Sequence, residues 1–288
     1  MAERIFKGGE FLVTEVTCDE IFTPEEFTDE QKQIAETTEQ FVENEIVPHI
    51  DEIEDQNFDL VIEAFKKCGD LGLLMMDTPE AYGGMELDKV TSMLVAEKIA
   101  PAGGFSVAYA AHTGIGTLPL VYYGTEAQKE EYLPKLVSGE WPAAYCLTEP
   151  GSGSDALGAR ATAILSEDGT HYILNGTKQF ITNGSFAKLF IVFAKIDKEL
   201  FTAFLVEKDF EGLVVGPEEK KMGIKGSSTT QVILDNCKVP VENLLGEAGK
   251  GHKIAFNVLN VGRFKLGACV TGAAKQATLV GVKYANER

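Results

Sequence analysis

WPAAYCLTEPGSGSD, running from Trp141 to Asp155, marks where the character of the chain changes. Before Trp141-Pro142, apolar residues recur at helical spacing; after it, short apolar runs alternate with turn residues.

Upstream, Ile34, Phe41, Val42, Ile46 and Val47 keep one helical face apolar. Thr28 and Gln31 have the spacing of a capping box, and Pro48 is expected to close that helix. A second helix is predicted over Phe58 to Leu71, with Val61, Ile62 and Phe65 inward. The Tyr82-Gly83-Gly84 turn then leads into a third, from about Asp88 to Ile99. Small residues between Ala102 and Gly116 suit a closely packed helix, and another is predicted over Glu126 to Val137.

Downstream, strands are predicted at Ala161 to Leu165, Tyr172 to Leu174, Leu189 to Ala194, Phe201 to Val206 and Val232 to Leu234. Asp168-Gly169, Asn175-Gly176 and Asn183-Gly184 read as hairpin-type turns in which Gly supplies the positive φ. From about Lys250 the helical period returns, with Ile254, Val258, Val261, Leu266, Val270, Leu279 and Val282 on one side up to the last residue. The expected fold is α+β. An extension (1–27) precedes an N-terminal α-helical domain (28–142), followed by a middle antiparallel β domain of barrel or sandwich form (143–247). The last segment (248–288) reads as the start of a truncated C-terminal helical bundle.

Composition bounds the function. The 288 residues include 26 Lys plus Arg against 44 Asp plus Glu, a formal net charge of −18, with 44% hydrophobic residues. This is a globular composition, and a chain of this size buries roughly 75% of its unfolded surface without needing disulfides. Cys18, Cys68, Cys146, Cys237 and Cys269 are odd in number and widely spaced, which suits reduced thiols. The acid excess repels nucleic acid, which is bound by neutralising phosphates with Lys and Arg.

No apolar run approaches the ~20 residues of a membrane span, and MAERIFKGGEFLVTE has neither signal-peptide nor transit-peptide character. A cytoplasmic protein is expected. His49, His112, His171 and His252 stand apart from one another and from the cysteines, so no metal site is expected. Gly246 to Gly251 resembles a phosphate loop only superficially, because Leu244 and Gly251 occupy positions that need Gly and Ser/Thr. Neither G-x-G-x-x-G nor G-x-S-x-G is found, which removes the dinucleotide fingerprint and the serine nucleophile elbow.

Three stretches carry candidate chemistry. In Tyr145 to Asp155, glycines let backbone N–H groups approach an anion, and Thr148 and Ser154 offer hydroxyl donors; a polar surface loop with an N-cap gives the same composition. In Phe180-Ile181-Thr182-Asn183, an aromatic ring and a hydroxyl share one strand face, suited to covering a planar ring and bonding its edge, although a core Phe on an ordinary strand fits as well. Lys220, Lys221 and Lys225 form a basic patch open to two readings, a seat for a polyanion or a solvated loop beside Glu218 and Glu219.

Taken together, the chain resembles the acyl-CoA dehydrogenase family of flavoproteins. Four segments match in order: CLTEPGSGSDALG (Cys146–Gly158), KQFITNG (Lys178–Gly184), KVPVENLLGE (Lys238–Glu247) and GRF (Gly262–Phe264). The stretch GPEEKKMGIKGSSTTQV (Gly216–Val232) is most similar to the very-long-chain branch. The resemblance implies an N-terminal helical domain, a middle β domain and a C-terminal four-helix bundle that enclose FAD and an acyl-CoA.

By position, it implies that Tyr145, Leu147, Thr148, Gly153, Ser154, Phe180, Ile181 and Thr182 line the flavin. Thr148 would bond the ring, Ser154 the pyrophosphate region, and Thr182 the nitrogen that receives hydride. Phe180 stands where many relatives have Trp. Ser154, Asn260 and Arg263 would contact the acyl-CoA, with Asn260 replacing an Asp of the medium-chain branch. Arg288 matches an arginine that reaches a neighbouring subunit's FAD, which implies a homodimer or homotetramer.

The reaction implied is α,β-dehydrogenation of a medium- to long-chain fatty acyl-CoA in β-oxidation, with electrons leaving to an electron-transferring flavoprotein. The usual catalytic Glu of the family lies beyond the position of Arg288, and an alternative location on the first bundle helix is Gly262 here. The chain is therefore expected to be an N-terminal portion lacking its catalytic base. The alternative is a catalytically silent flavin-domain-like binding or assembly module.

Overall fold

The computed structural model describes Phe6 and residues 9–288. The leader reading and the 1–27 extension therefore fall partly outside the described residues.

Helix α1 (Asp29–Phe41) starts as its capping box predicts: Thr28 Oγ1 accepts the Gln31 N–H at 3.1 Å, and Gln31 Oε1 accepts the Thr28 N–H at 3.0 Å. Pro48 does not close this helix. A wide turn over Val42–Ile46 and a tight one over Val47–His49 carry the chain into α2 (Ile50–Glu54). Pro48 lies in the first turn of the tight segment, where a missing N–H costs nothing.

Helix α3 (Phe58–Asp70) follows, then α4 (Lys89–Ile99), capped by Asp88 accepting the Thr91 N–H at 2.8 Å. The small-residue stretch forms α5 (Gly104–Ala110), which widens into a π-type segment over Ala111–Gly116. Helices α6 (Leu118–Tyr123) and α7 (Glu126–Val137) complete the helical half. Phe65 and Phe105 meet at 5.4 Å between ring centroids at the centre of its core, with Phe41 5.9 Å beyond.

The second half contributes β1 (Ala143–Cys146), β2 (Thr162–Leu165), β3 (His171–Thr182), β4 (Leu189–Ile196), β5 (Leu200–Glu207), β6 (Leu213–Glu218), β7 (Thr229–Pro240) and β8 (Leu244–Leu245). They lie in the order β6-β7-β3-β2-β4-β5-β8, with β1 added beside β4. The expected antiparallel domain of barrel or sandwich form is present as a sheet-rich domain, with two refinements. The sheet is an open path rather than a closed barrel, and β1 and β2 each pair with β4 in parallel, so it is mixed. Parallel neighbours need long crossovers, and the connections from β1 and β2 to β4 provide them.

Two predicted turns also differ. The chain runs straight through Asn175-Gly176 within β3; there a Cβ on Gly176 (φ 150°) would sit 2.8 Å from the Ala161 Cβ, so the glycine permits a close strand approach. At Asn183-Gly184 it is Asn183 that carries the positive φ, 66°. Strand β6 escapes the periodicity because Gly216-Pro217 cuts its apolar run short.

Helix α8 (Gly251–Glu287) is 37 residues long. Its first turns bury Ile254, Ala255 and Val258 against the cluster containing Leu118, Leu120 and Phe201. Further along, Lys265 Nζ pairs with Asp77 Oδ2 at 2.7 Å in a buried contact, and Gly272 abuts the Glu97 carbonyl of α4. Leu266, Val270, Leu279 and Val282 are exposed, whereas Ile254 and Val258 on the same predicted side are buried. Among the described residues, no helix is long and apolar enough to cross a membrane.

Candidate functional site

Where β1 ends, the chain folds into a tight loop. Glu149 and Ser152 exchange backbone hydrogen bonds at 3.0 and 3.1 Å, and Asp155 caps a short turn by accepting the Gly158 N–H at 3.2 Å. The loop thus contains an N-cap, as a polar surface loop would, but it also forms one wall of a cleft of about 390 Å³. That size lies within the roughly 300–1,000 Å³ of ordinary small-molecule sites.

The structure brings most of the sequence-selected residues together here. Tyr145, Leu147, Thr148, Gly153 and Ser154 line one side, Phe180, Ile181 and Thr182 another, and Arg263 of α8 reaches in. Five further liners, Ala111, Ile115, Ala156, Phe256 and Leu259, were not selected from the sequence. The signal for two of them was present, since Phe256, Leu259 and Arg263 follow i, i+3, i+7 spacing on one face of α8.

Three hydroxyls of the cleft are unspent. The hydroxyls of Thr148, Ser154 and Thr182 have no hydrogen-bond partner among the described residues. Tyr145 differs: its hydroxyl donates to the Ala255 carbonyl at 3.3 Å, its ring meets Phe193 edge-on at 5.2 Å, and burial raises its pKa. It is a packed wall of the cleft rather than a proton donor. No carboxylate among the described residues lines the cleft.

Beneath the two walls lies an ion pair that the sequence reading did not find. Lys178 is fully buried, and its Nζ meets Glu149 Oε1 at 2.7 Å. Glu149 also accepts the Arg160 N–H at 2.6 Å and the Ala161 N–H at 3.0 Å. Burial works to raise the Glu149 pKa, but the Lys178 charge and these N–H donors outweigh it and hold it below the usual carboxylate range.

Above the pair, the β3–β7 register slips. Lys178 faces Val232 and Ile181 faces Thr230, so β3 carries one extra residue in a bulge. Phe180 sits in this bulge with φ 58° and is 61% exposed.

Other selected residues lie at or beyond the rim. Asn260 does not line the cleft; its side-chain oxygen accepts a hydrogen bond from Arg263. A Cβ on Gly262 would lie 3.6 Å from Ile115 Cγ2, which places that position beside a cleft wall. Arg288 stays at the far end of α8, where its Nη1 donates to the Tyr284 hydroxyl at 2.9 Å. In the basic patch, Lys221 spends its ammonium on the Ile224 and Ser227 carbonyls at 2.6 and 2.5 Å, which closes that loop.

The comparisons with known proteins agree with this architecture. Residues 28–140 match the acyl-CoA dehydrogenase N-terminal domain, and residues 144–237 match the middle domain. A probable acyl-CoA dehydrogenase of Bacillus subtilis is 58% identical over 287 residues, covering 100% of this chain and 48% of the relative. The human very long-chain specific acyl-CoA dehydrogenase is 38% identical over 302 residues, covering 100% of this chain and 45% of that protein.

Among solved structures, the acyl-CoA dehydrogenase of Bacillus anthracis complexed with FAD superposes with a TM-score of 0.95 at 58% identity, covering 98% of this chain and 49% of that one. Butyryl-CoA dehydrogenase of Megasphaera elsdenii gives a TM-score of 0.85 at 36% identity, over 91% and 70% of the two chains. The chain spans about half the length of the two curated relatives described here. With both domain matches in sequence order and the fold shared at this level, the chain belongs to the acyl-CoA dehydrogenase family.

Proposed function

We propose that the cleft receives the isoalloxazine of FAD, and that the whole protein α,β-dehydrogenates medium- to long-chain fatty acyl-CoA in β-oxidation. The observation that carries this reading is the set of unspent hydroxyls of Thr148, Ser154 and Thr182 between the apolar walls of Tyr145, Leu147, Phe180 and Ile181. Such a slot suits a planar heterocycle, with apolar faces against the walls and edge heteroatoms at the hydroxyls. When bound, FAD supplies the hydride acceptor of the reaction.

The chain's own residues bind and orient. Thr148 and Thr182 donate to the ring edge, Gly153 leaves room for phosphate oxygens, and Ser154 bonds in that region and toward the substrate. Arg263, oriented by Asn260, offers a cation to the acyl-CoA. Ala111, Ile115, Phe256 and Leu259 keep water from the reacting face. The α proton of a thioester is weakly acidic, so its removal needs a base as well as oxyanion donors. Neither the cleft lining nor Gly262 contributes a carboxylate, and we infer that the base is supplied from outside residues 1–288.

The same proposal includes transfer of electrons to an electron-transferring flavoprotein, a cytoplasmic location, and a homodimer or homotetramer in which Arg288 serves the FAD of a neighbouring subunit. The domain limits at 28, 143 and 248 belong to it too, supported by the matched segments 28–140 and 144–237. The carboxylate-free cleft also favours a second reading, a catalytically silent module that retains the flavin fold.

The deciding experiment is the visible spectrum of the purified chain after incubation with FAD and gel filtration, followed by addition of palmitoyl-CoA. The reading expects retained flavin absorbance and negligible bleaching by the thioester. A colourless protein removes the flavin assignment, and rapid bleaching would place the base inside these 288 residues.

A further inference from the structure

The alternation of a strand puts residues i and i+2 on one face. Without a bulge, Phe180 and Thr182 would therefore follow Lys178 into the interior, and Ile181 would point out. The structure has the reverse beyond Lys178: Lys178 and Ile181 are both buried and Phe180 is exposed, while Thr182 is half-buried, and Phe180, Ile181 and Thr182 together form that wall of the cleft. The extra β3 residue between Lys178 and Ile181 inverts the strand's parity at the point where the cleft needs its ring and hydroxyl.

The residue at the edge of this inversion is the one tied to the opposite wall. Lys178 Nζ meets Glu149 Oε1 at 2.7 Å and approaches the Leu147 carbonyl at 3.4 Å, while the Gln179 N–H donates to the Thr148 carbonyl at 2.9 Å. Leu147 and Thr148 line one side of the cleft, and Phe180 begins the other. Glu149 in turn holds the Arg160 and Ala161 N–H groups, closing the loop that carries Gly153 and Ser154.

We propose that Lys178 and Glu149 are positioning residues: their buried pair fixes the β3 bulge against the 147–160 loop and so sets the geometry of the slot between Thr148 and Thr182. Neither side chain lines the cleft, so neither touches the ligand. The inference rests on the flavin reading for the identity of the ligand, but the positioning itself does not depend on a flavin being bound.

The test uses the 288-residue chain with Lys178→Met, which keeps the stem and removes the charge, and with Lys178→Arg, which keeps the charge and the donors. Val61→Ala, in the helical core, serves as a control that lowers stability away from the cleft. FAD affinity is measured by fluorescence quenching at a temperature where each variant is folded. Hydrogen exchange of peptides covering 147–160 and 176–183 is followed without flavin.

The expected result is at least a tenfold loss of FAD affinity and faster exchange in both peptides for Lys178→Met, a smaller loss in Lys178→Arg, and neither change in Val61→Ala. FAD affinity within twofold of the parent, or unchanged exchange in these peptides, overturns the proposal. Should the parent bind no FAD, the flavin reading falls and the exchange data alone decide the positioning. If Lys178→Met does not fold, Glu149→Gln keeps the acceptor and removes the charge, and the same two readouts apply, with at least a threefold loss of affinity expected.

Discussion

The backbone N–H of Ala143 donates to His112 Nδ1 at 3.0 Å, so the first strand of the sheet is fastened to the π-type segment of the helical half. Because Nδ1 accepts, the ring proton is on Nε2, which donates to the Leu136 carbonyl at 3.0 Å. His112 is a buried neutral linker of three elements, with no catalytic part.

Burial lowers the His112 pKa to about 4 from an ordinary 6.5; the Leu136 hydrogen bond opposes the shift, and the Lys265 charge adds to it. Between those values the unfolded chain takes up a proton that the folded one refuses. Stability is therefore complete above about pH 6.5 and falls as pH drops toward 4, by at most about 3 kcal/mol from this group. Urea unfolding across this range should show that slope, and His112→Gln, though less stable at pH 7, should lack that component of it. An identical slope in the variant would contradict the assignment.

Phe180 holds a left-handed backbone conformation that costs a non-glycine residue about 1–2 kcal/mol, and its exposed ring recovers little of this by burial. Replacing it with glycine relieves the strain but adds chain entropy to the unfolded state. Phe180→Gly should thus leave stability within about 1 kcal/mol of the parent while weakening FAD binding. Thermal melts and flavin titration check the two halves separately.

Two glycines of α8 should respond oppositely to alanine. A Cβ on Gly272 would come within 1.9 Å of the Glu97 carbonyl oxygen, so Gly272→Ala must push α8 away from α4, costing about 1–3 kcal/mol. Gly267 has nothing within 4 Å, and Gly267→Ala should stabilise this chain by up to about 1 kcal/mol through helix propensity. Chemical denaturation of the two variants side by side is sufficient.

Lys265 and Asp77 join α8 to the helical half in a buried pair, to which Lys89 and Ser92 also contribute. Lys265→Met should cost about 3 kcal/mol, at the low end for a broken buried pair because Lys89 still compensates the carboxylate. Asp77→Asn/Lys265→Met should be more stable than the single variant.

The elements that the sequence disclosed are those with a local cause. The Thr28 capping box fixes a helix start from four residues, and short apolar runs mark the strands, though only three residues of each 12-residue strand β3 and β7. The parallel pairing of β1 with β4 was hidden because Ala143–Cys146 is buried throughout and β4 nearly so, leaving no alternation to orient them. Lys178 was hidden for a different reason: a lysine in a strand reads as a solvent-facing residue, and its partner Glu149 is 29 residues away. The cleft wall from 145 to 154 was legible through its glycines and hydroxyls, whereas Ala111 and Ile115 carry no chemical mark.

The length of α8 sets a limit on what its tip can serve. Arg288 lies 25 residues beyond Arg263, about 37 Å along the axis of a straight helix, far past the span of an arginine side chain. A cation at the tip and a cation at the cleft thus cannot answer to the same binding pocket within one molecule. If the tip serves a flavin as proposed, that flavin belongs to another copy, and damage to one polypeptide would be felt in the pocket of another.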